Sequence, residues 1–235
     1  MATEGDKLVM LARVAERAER YDEMADFMKE RVEKGPPLNS EERDIFSAAF
    51  KSALAERRHA VRVAISVSQE QGEMGHPEES QLAVGYKHRV EAELKAICDK
   101  ALALLKAPLV PAAEPGEAKT FYLKMMGDYH RYAAEFAEGD ARARTAEEAK
   151  VAYSQGMAEA ASLRTVHPVR LGLALNFSVF QHEVLRDTAS AVATAKEALA
   201  SSSAAIESVP EENRNDALLT MQLLQDNLSL WDPSA

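Results

Sequence analysis

The chain has 235 residues, of which 46% are hydrophobic, so it is long enough to bury a sizeable core. Its formal net charge of −10 argues against a general attraction to nucleic acid or to acidic membranes, and its single cysteine excludes a disulfide framework. No segment is apolar and uncharged over the length that a membrane-spanning helix needs, and the N-terminus is charged throughout. We therefore expect a cytoplasmic protein that neither inserts into membranes nor binds nucleic acid.

Ten glycines and nine prolines interrupt an alanine-rich chain that has no strand-like alternation, which favours helices. Caps and breakers separate the segments that carry apolar residues at helical spacing. We predict an all-α fold of about nine antiparallel helices, with a loop over about residues 110–116. The predicted helices cover about residues 3–17, 20–34, 40 to beyond 68, 79–106, 117–137, 145–162, 171–185, 188–208 and 212–231, with Pro210 ending the eighth.

The helix over residues 171–185 is apolar almost all round, which predicts that it is buried. One narrow sector of this helix carries Gly172, Asn176 and Glu183 between Leu175 and Val179. A buried amide and carboxylate must be satisfied by hydrogen bonds. They therefore either have partners in the core or line a groove that holds water or a ligand.

Charged residues gather on two helices. Lys51, Arg58 and Arg62 fall on one line of the third helix, and Lys124, Asp128, Arg131 and Glu135 on one line of the fifth, beside Tyr132. Taken singly, each line is more often an ordinary solvated face. If the two helices face each other, the basic groups and the phenol form a cradle for a phosphate dianion, in which Asp128 orients Arg131 or Tyr132.

The last helix repeats the composition of the seventh. Leu219, Leu223 and Leu230 share a stripe with Asn227 at its edge, much as Leu175 and Val179 border Asn176. Leucine stripes are usually core, but two such amides are able to bond the main chain of an extended peptide. Together with the charged lines, the stripes predict a groove with one basic wall and one apolar wall.

The sequence resembles the 14-3-3 family over essentially its whole length. The resemblance is carried by five segments: RAERYDEMADFMK (17–29), LNSEERDIFSAAFK (38–51), FYLKMMGDYHRY (121–132), HPVRLGLALNFSVF (167–180) and TMQLLQDNLSLW (220–231). It implies a single domain over residues 1–235 that forms a cup-shaped dimer. It also implies an adaptor without catalytic residues, metal or cofactor, which clamps phosphoserine or phosphothreonine proteins and regulates their activity, location or assembly.

By this resemblance, the phosphate-binding residues are Lys51, Arg58, Arg131 and Tyr132. The groove residues implied for peptide binding are Lys124, Asp128, Leu175, Asn176, Val179, Glu183, Leu219, Leu223, Asn227, Leu230 and Trp231. Clients could also take the protein to the nucleus.

The resemblance places the dimer interface in the N-terminal helices, over about residues 3–75, and on the fourth helix. Val14, Ala15 and Ala18 of one protomer are expected to pack on Ala60, Ala64 and Tyr86 of a second copy or of a sister isoform. Ion pairs from Arg20 to Glu93 and from Glu23 to Arg89 are expected beside them.

Some residues depart from the family pattern. Ala60 stands where some members carry a serine whose phosphorylation splits the dimer, so we expect that switch to be absent. Ala48 and Thr220 change contacts on the groove wall and should shift side-chain preference. The sequence ends at WDPSA without an acidic tail, so we expect no occlusion of the groove by such a tail.

Three other interpretations remain open. An enzyme is disfavoured because His182-Glu183 begins an HExxH pattern that Arg186 ends, and no Gly-rich phosphate loop is present. A helical-repeat scaffold for unphosphorylated peptides lacks the 34-residue repeat that tetratricopeptide arrays show. The third interpretation is a monomeric or structural member of the family, because Ala60 and Val61 lie near the expected dimer surface.

Overall fold

The computed structural model describes residues 2–209 and 214–232, and this part of the chain contains helices and no strand. The predicted all-α fold class and the nine long helices are confirmed within it. Their bounds are α1 Glu4–Arg17, α2 Tyr21–Glu33, α3 Ser40–Glu73, α4 Pro77–Leu104, α5 Glu117–Phe136, α6 Gly139–Ala160, α7 Pro168–Glu183, α8 Thr188–Ser203 and α9 Arg214–Trp231.

The helices form two compact units, divided between Ala112 and Ala113. In the first unit, α1 packs on α2 and α3, and α3 packs along α4. In the second unit, α5 packs on α6 and α7, and α7 also contacts α8 and α9. The helix that is apolar almost all round is therefore the one with the most neighbours in its unit.

The start of α3 shows how local sequence sets a boundary. The Asn39 side chain accepts from the Glu42 backbone N–H at 3.0 Å, and the Glu42 carboxylate accepts from the Asn39 N–H at 2.9 Å. This reciprocal pair is a capping box and confirms the predicted cap. Arg31 of α2 donates to the same carboxylate from Nε at 2.6 Å and from Nη2 at 3.0 Å, which ties the cap to the preceding helix.

The turn between α3 and α4 follows the predicted breakers. Gly75 has a φ of 79°, a left-handed conformation that a side chain would strain. Pro77 is the first residue of α4, where its missing N–H costs nothing, so α4 begins two residues before the predicted Glu79.

Pro108 does not end the fourth helix in an open loop. The chain widens into a π-helical turn over Leu105–Leu109, with Pro108 inside it, and a helical turn over Val110–Ala112 follows. A π-turn accommodates a residue without an N–H by changing the local hydrogen-bond pattern. The predicted loop over residues 110–116 is thus wrong in its first three residues.

The sixth helix begins at Gly139, six residues before the predicted Thr145. Alanine and arginine at positions 141–144 are strong helix formers, so the helix extends through them. Thr145 does not cap the helix, because its hydroxyl donates to the Ala141 carbonyl at 2.9 Å within it.

Smaller differences concern the last helices. α7 covers Pro168–Glu183 where residues 171–185 were predicted, and α8 ends at Ser203, before a separate 3-10 turn over Ile206–Ser208. The predicted break at Pro210 and the predicted start of the ninth helix at Glu212 lie outside the described residues.

Two apolar clusters lie in the second unit, and both contain residues of α7. One contains Tyr153, Leu173 and Phe180, and Phe177, Val184 and Leu185 pack against it. The other contains Leu171 of α7 with residues of α8 and α9. Helical spacing predicts one face of Leu173, Phe177, Phe180 and Val184 and another that includes Leu171 and Leu185. The first four residues do share a cluster, whereas Leu185 packs with them and not with Leu171.

Candidate functional site

The predicted charged line on α5 is a network of hydrogen bonds and ion pairs. Asp128 and Arg131 are buried in the protein, and both lie on the side of α5 that meets α6 and α7. Lys124 Nζ donates to Asp128 Oδ2 at 2.9 Å, one helical turn away. A helix places residues three and four apart on one face, which is why the sequence pattern located this part of the site.

Asp128 is the acceptor at the centre of the network. Its Oδ1 accepts from the Tyr153 hydroxyl of α6 at 2.6 Å and from Asn176 Nδ2 of α7 at 2.8 Å. Burial raises the pKa of Asp128, but the charges of Lys124 and Arg131 and the hydrogen bonds from Tyr153 and Lys124 outweigh it, so the pKa lies below its ordinary value. Asp128 is therefore an anion at neutral pH.

Arg131 is a buried cation whose side chain is only 9% exposed, so it must be paired. Its Nε donates to the Tyr153 oxygen at 3.3 Å and its Nη1 to Glu135 Oε1 at 3.4 Å. Burial lowers the pKa of Arg131, but the electrostatic effects of Tyr153 and Asp128 raise it by a larger amount. The net shift of the pKa is therefore upward, and the guanidinium stays charged.

Tyr132 follows Arg131 and lies beside its guanidinium. Arg131 Cζ is 4.5 Å from the centroid of the Tyr132 ring, which is a cation–π distance. Tyr132 is half-buried, so its ring covers the cation from one side. The two residues that the sequence placed beside each other for phosphate binding are in contact.

The polar sector of α7 divides into two parts. Asn176 has its partner in the core, since its amide donates to Asp128 as described above. Glu183 is exposed at the end of α7 and does not share this contact. Leu175 and Val179, on either side of the sector, are half-buried, and Leu175 packs against the cluster that contains Leu171. Asn176 thus has a buried hydrogen-bond partner and is itself only half-buried, so part of its side chain remains accessible.

The leucine stripe of α9 is mostly not core. Leu219, Leu223 and Leu230 are 63%, 44% and 77% exposed, whereas Leu224 and Leu228 on the opposite side are buried. Asn227 is half-buried beside the exposed leucines. Such a run of exposed large apolar side chains is typical of a binding surface.

Trp231 ends α9 and stacks on His182 of α7, with ring centroids 4.8 Å apart and an interplanar angle of 22°. The His182 Nδ1 lies 3.1 Å from the Thr188 hydroxyl. His182 is therefore a hydrogen-bonded helix residue. Its stacking on Trp231 was not predicted, because the two residues are far apart in the chain.

The other two residues of the predicted phosphate site, Lys51 and Arg58, lie on α3 in the first unit. Lys51 is exposed and Arg58 is half-buried, two turns along the same helix. Ala55, between them on the helix, is exposed.

The predicted dimer residues also lie in the first unit. Val14, Ala18 and Tyr86 are exposed, whereas Ala15 and Ala64 are each only 4% exposed within the protomer. Arg20 Nε donates to Glu23 Oε2 at 2.8 Å inside the same chain. A groove of about 370 Å³ brings four of the predicted residues together, namely Ala60, Tyr86, Arg89 and Glu93.

Sequence reasoning missed Tyr153, which touches both Asp128 and Arg131. The signal for it was weak: a tyrosine in the apolar pattern of α6 that, when buried, needs a partner for its hydroxyl. Gly127 is the matching signal on α5, since a Cβ there would lie 2.5 Å from the Tyr153 ring.

No group of three or more His, Cys, Asp or Glu side chains in residues 2–209 and 214–232 is placed to hold a metal ion. Within the same residues, no helix has the length and apolarity to cross a membrane.

Comparison with known proteins identifies the family. The family model described as "14-3-3 protein" matches residues 11–232. The chain belongs to the 14-3-3 family. It is 44% identical over 230 residues to the 14-3-3-like protein G-BOX factor 14 kappa of Arabidopsis thaliana. This alignment covers 96% of the present chain and 93% of the relative.

Relatives from distant organisms are similarly close. The 14-3-3 protein zeta of Bombyx mori is 44% identical over 232 residues, covering 98% of this chain and 93% of the relative. The 14-3-3 protein 3 of Entamoeba histolytica is 40% identical over 232 residues, covering 98% and 97%. As a 14-3-3 protein, the chain has the general role of a phosphopeptide-binding adaptor and is not an enzyme.

Proposed function

We propose that this protein clamps phosphorylated client proteins through phosphoserine or phosphothreonine and thereby regulates their activity, location or assembly. The observation that carries the proposal is the buried, charged Arg131, held between Asp128, Tyr153 and Tyr132. A buried cation is costly unless charged or hydrogen-bonding partners compensate its lost hydration, and a phosphate is a strong partner for a guanidinium.

The proposed phosphate ligands are Lys51, Arg58, Arg131 and Tyr132. The two guanidinium groups offer planar forks of N–H donors, the lysine a mobile ammonium, and the phenol a fourth donor. A phosphorylated side chain carries about −1.5 to −2 charges and three acceptor oxygens, so it uses donors of each kind. Family membership supports this set, because all four residues lie within residues 11–232, which match the family model.

The proposed peptide groove lies on α7 and α9. Exposed Leu219, Leu223 and Leu230 would pack against client side chains, and Asn227 would bond the client main chain. Leu175, Val179 and Trp231 would extend the apolar wall, while Asn176, Glu183 and Lys124 would supply polar contacts. Recognition then follows the phosphate first and the flanking residues second.

We further propose that the protein works as a homodimer, or as a heterodimer with sister isoforms, in the cytoplasm and through its clients in the nucleus. The groove that contains Ala60, Tyr86, Arg89 and Glu93 is open in the protomer and has room for apolar side chains such as Val14 of a second copy. A dimer offers two phosphate sites, so a client with two phosphoserines gains avidity without any new contact.

The proposed function is tested by reversing the charges of Lys51 and Arg58 on α3. We expect Lys51→Glu with Arg58→Glu to weaken binding of a phosphoserine peptide by at least about a hundredfold, since each charge-assisted hydrogen bond contributes about 1.5–3 kcal/mol. Isothermal titration calorimetry measures the affinity, with the unphosphorylated peptide as reference, and circular dichroism checks the helical content.

The matched control is Lys29→Glu with Lys95→Glu, which reverses the same number of charges on exposed side chains of α2 and α4. It should bind the phosphopeptide within about threefold of wild type, because long-range electrostatics at exposed sites are screened. If the α3 variant binds as tightly as this control, or if wild type binds both peptides equally, the proposed function is wrong.

A further inference from the structure

The hydroxyl of Tyr153 hydrogen-bonds both Asp128 and Arg131. It donates to Asp128 Oδ1 at 2.6 Å and accepts from Arg131 Nε at 3.3 Å. The N–H of Arg131, the hydroxyl and the carboxylate form a chain of two hydrogen bonds. Such a chain fixes the direction in which the guanidinium plane points, because Nε has a single N–H.

The position of the Tyr153 hydroxyl is fixed by its ring. Tyr153 is fully buried and its ring centroid lies 5.5 Å from that of Phe177 and 5.3 Å from that of Phe180. On the other side the ring lies so close to the α5 backbone that only glycine fits at position 127. These contacts restrict the ring, and its hydroxyl lies against Asp128 and Arg131 of α5.

The hydroxyl stays protonated under ordinary conditions. Burial and the neighbouring Asp128 carboxylate raise the pKa of Tyr153 well above its ordinary value, and Arg131 offsets this only in part. Tyr153 is thus a neutral donor to Asp128 and a neutral acceptor for Arg131 across the physiological range.

Without this hydroxyl, Asp128 and Arg131 would be able to form an ion pair directly with each other. Arg131 Nη2 already lies 3.7 Å from Asp128 Oδ1, just beyond hydrogen-bond length. Loss of the Tyr153 contact frees one lone pair on Asp128 and one N–H on Arg131, so the two charges would move into a direct pair. That pair would turn Nη donors toward Asp128 and away from an incoming anion.

We infer that Tyr153 is a positioning residue for phosphate recognition, which holds Arg131 so that the Nη hydrogens not bonded to Glu135 are presented to the ligand. The inference rests on the proposed function. It also links the phosphate to the peptide, because the Oδ1 atom that accepts from Tyr153 accepts from Asn176 as well at 2.8 Å. One hydroxyl therefore sets the geometry of a proposed phosphate ligand and, through Asp128, of a proposed peptide ligand.

The test is Tyr153→Phe, which removes the hydroxyl and keeps the ring. We expect the dissociation constant for a phosphoserine peptide to rise about tenfold or more, as for the loss of a hydrogen bond to a charged group. Binding of the unphosphorylated peptide should change much less, so the ratio between the two affinities falls. The control is Thr194→Val, which removes another partly buried hydroxyl of the same unit, bonded to Gln181 at 2.9 Å.

A second measurement separates positioning from stability. In wild type the Arg131 Nε–H should give a slowly exchanging signal in ¹H–¹⁵N spectra, because the proton is buried and hydrogen-bonded. In Tyr153→Phe this signal should exchange fast or move, while the Thr194→Val spectrum keeps it. The wild-type spectrum tests the inference even if Tyr153→Phe does not fold. An Arg131 Nε–H that exchanges in wild type as fast as that of an exposed arginine contradicts the positioning role.

The outcomes distinguish the two proposals. If Lys51→Glu with Arg58→Glu abolishes binding while Tyr153→Phe binds like wild type, the positioning role is wrong and the proposed function stands. If wild type shows no preference for the phosphorylated peptide, both are wrong. If Thr194→Val weakens phosphopeptide binding as much as Tyr153→Phe, the effect is a general loss of packing and the positioning role is wrong.

Discussion

Gly127 of α5 lies where α5 and α6 approach most closely, against the ring of Tyr153. A Cβ built at this position would be 2.5 Å from Tyr153 Cδ1 and 2.6 Å from Cε1, closer than real contacts allow. Because the ring is fully buried, stacked on Phe177 and packed at a tilt against Phe180, its movement away from position 127 is restricted. The residue at position 127 therefore decides whether the network around Asp128 can form at all.

We expect Gly127→Ala to lower the free energy of unfolding by about 1–3 kcal/mol, since overpacking forces side chains or backbone to shift. Urea denaturation followed by circular dichroism measures the change. Gly85→Ala on α4 is the control, because a Cβ there meets no atom within 4 Å and alanine favours the helix by about 0.5–1 kcal/mol. A Gly127→Ala protein as stable as the Gly85→Ala protein would contradict the close packing.

At the scale of elements, the junction of α2 and α3 depends on one carboxylate. Glu42 is buried and closes the capping box with Asn39, while Arg31 of α2 binds both of its oxygens. Arg31 also donates from Nη1 to the Gly35 carbonyl at 2.9 Å. The cap of one helix, the end of another and the turn between them therefore share a single set of hydrogen bonds.

We expect Glu42→Ala to destabilise the protein by about 3 kcal/mol, because it leaves the half-buried Arg31 without its partner and opens the cap. Glu41→Ala, one residue earlier, removes an exposed carboxylate that pairs with Arg13 and should cost less than about 1 kcal/mol. Thermal and urea unfolding of both variants test this, and equal losses at the two positions would exclude a special role for Glu42.

At the scale of the whole molecule, the proposed dimer needs an apolar surface that the protomer leaves open. On α1, Met10, Leu11 and Val14 are 61%, 44% and 51% exposed, and Tyr86 on α4 is 46% exposed. Ala15 and Ala64, which the resemblance also implies, are already covered inside the protomer. The exposed residues of this set should therefore dominate the energy of association.

We expect Val14→Glu to raise the dimer dissociation constant at least tenfold, since a charge buried in an apolar interface loses its hydration. Analytical ultracentrifugation across micromolar concentrations measures it. Val151→Glu on α6 is the control, because Val151 is 47% exposed and lies outside the expected interface. A wild-type chain that is monomeric at every concentration, or a Val14→Glu chain as dimeric as the control, would contradict this surface.

The sequence by itself determined the all-α class, most of the helix bounds and the line from Lys124 to Arg131. These follow from local chemistry: apolar spacing, caps such as Asn39, breakers such as Gly75, and the fixed geometry of residues on a single helix. It misjudged the start of α6, where Thr145 has the chemistry of a cap but lies inside a run of strong helix formers.

Only the tertiary structure decided which residues surround Asp128. Tyr153 and Asn176 are 25 and 48 positions further along the chain, on two other helices. No periodicity links them to α5, because the rotation and depth of packed helices depend on how side chains such as Phe177, Phe180 and Gly127 fit together. The charged residues on α5 could be predicted from local spacing, whereas the Tyr153 hydroxyl that bonds Asp128 and Arg131 comes from another helix and depends on the packed core.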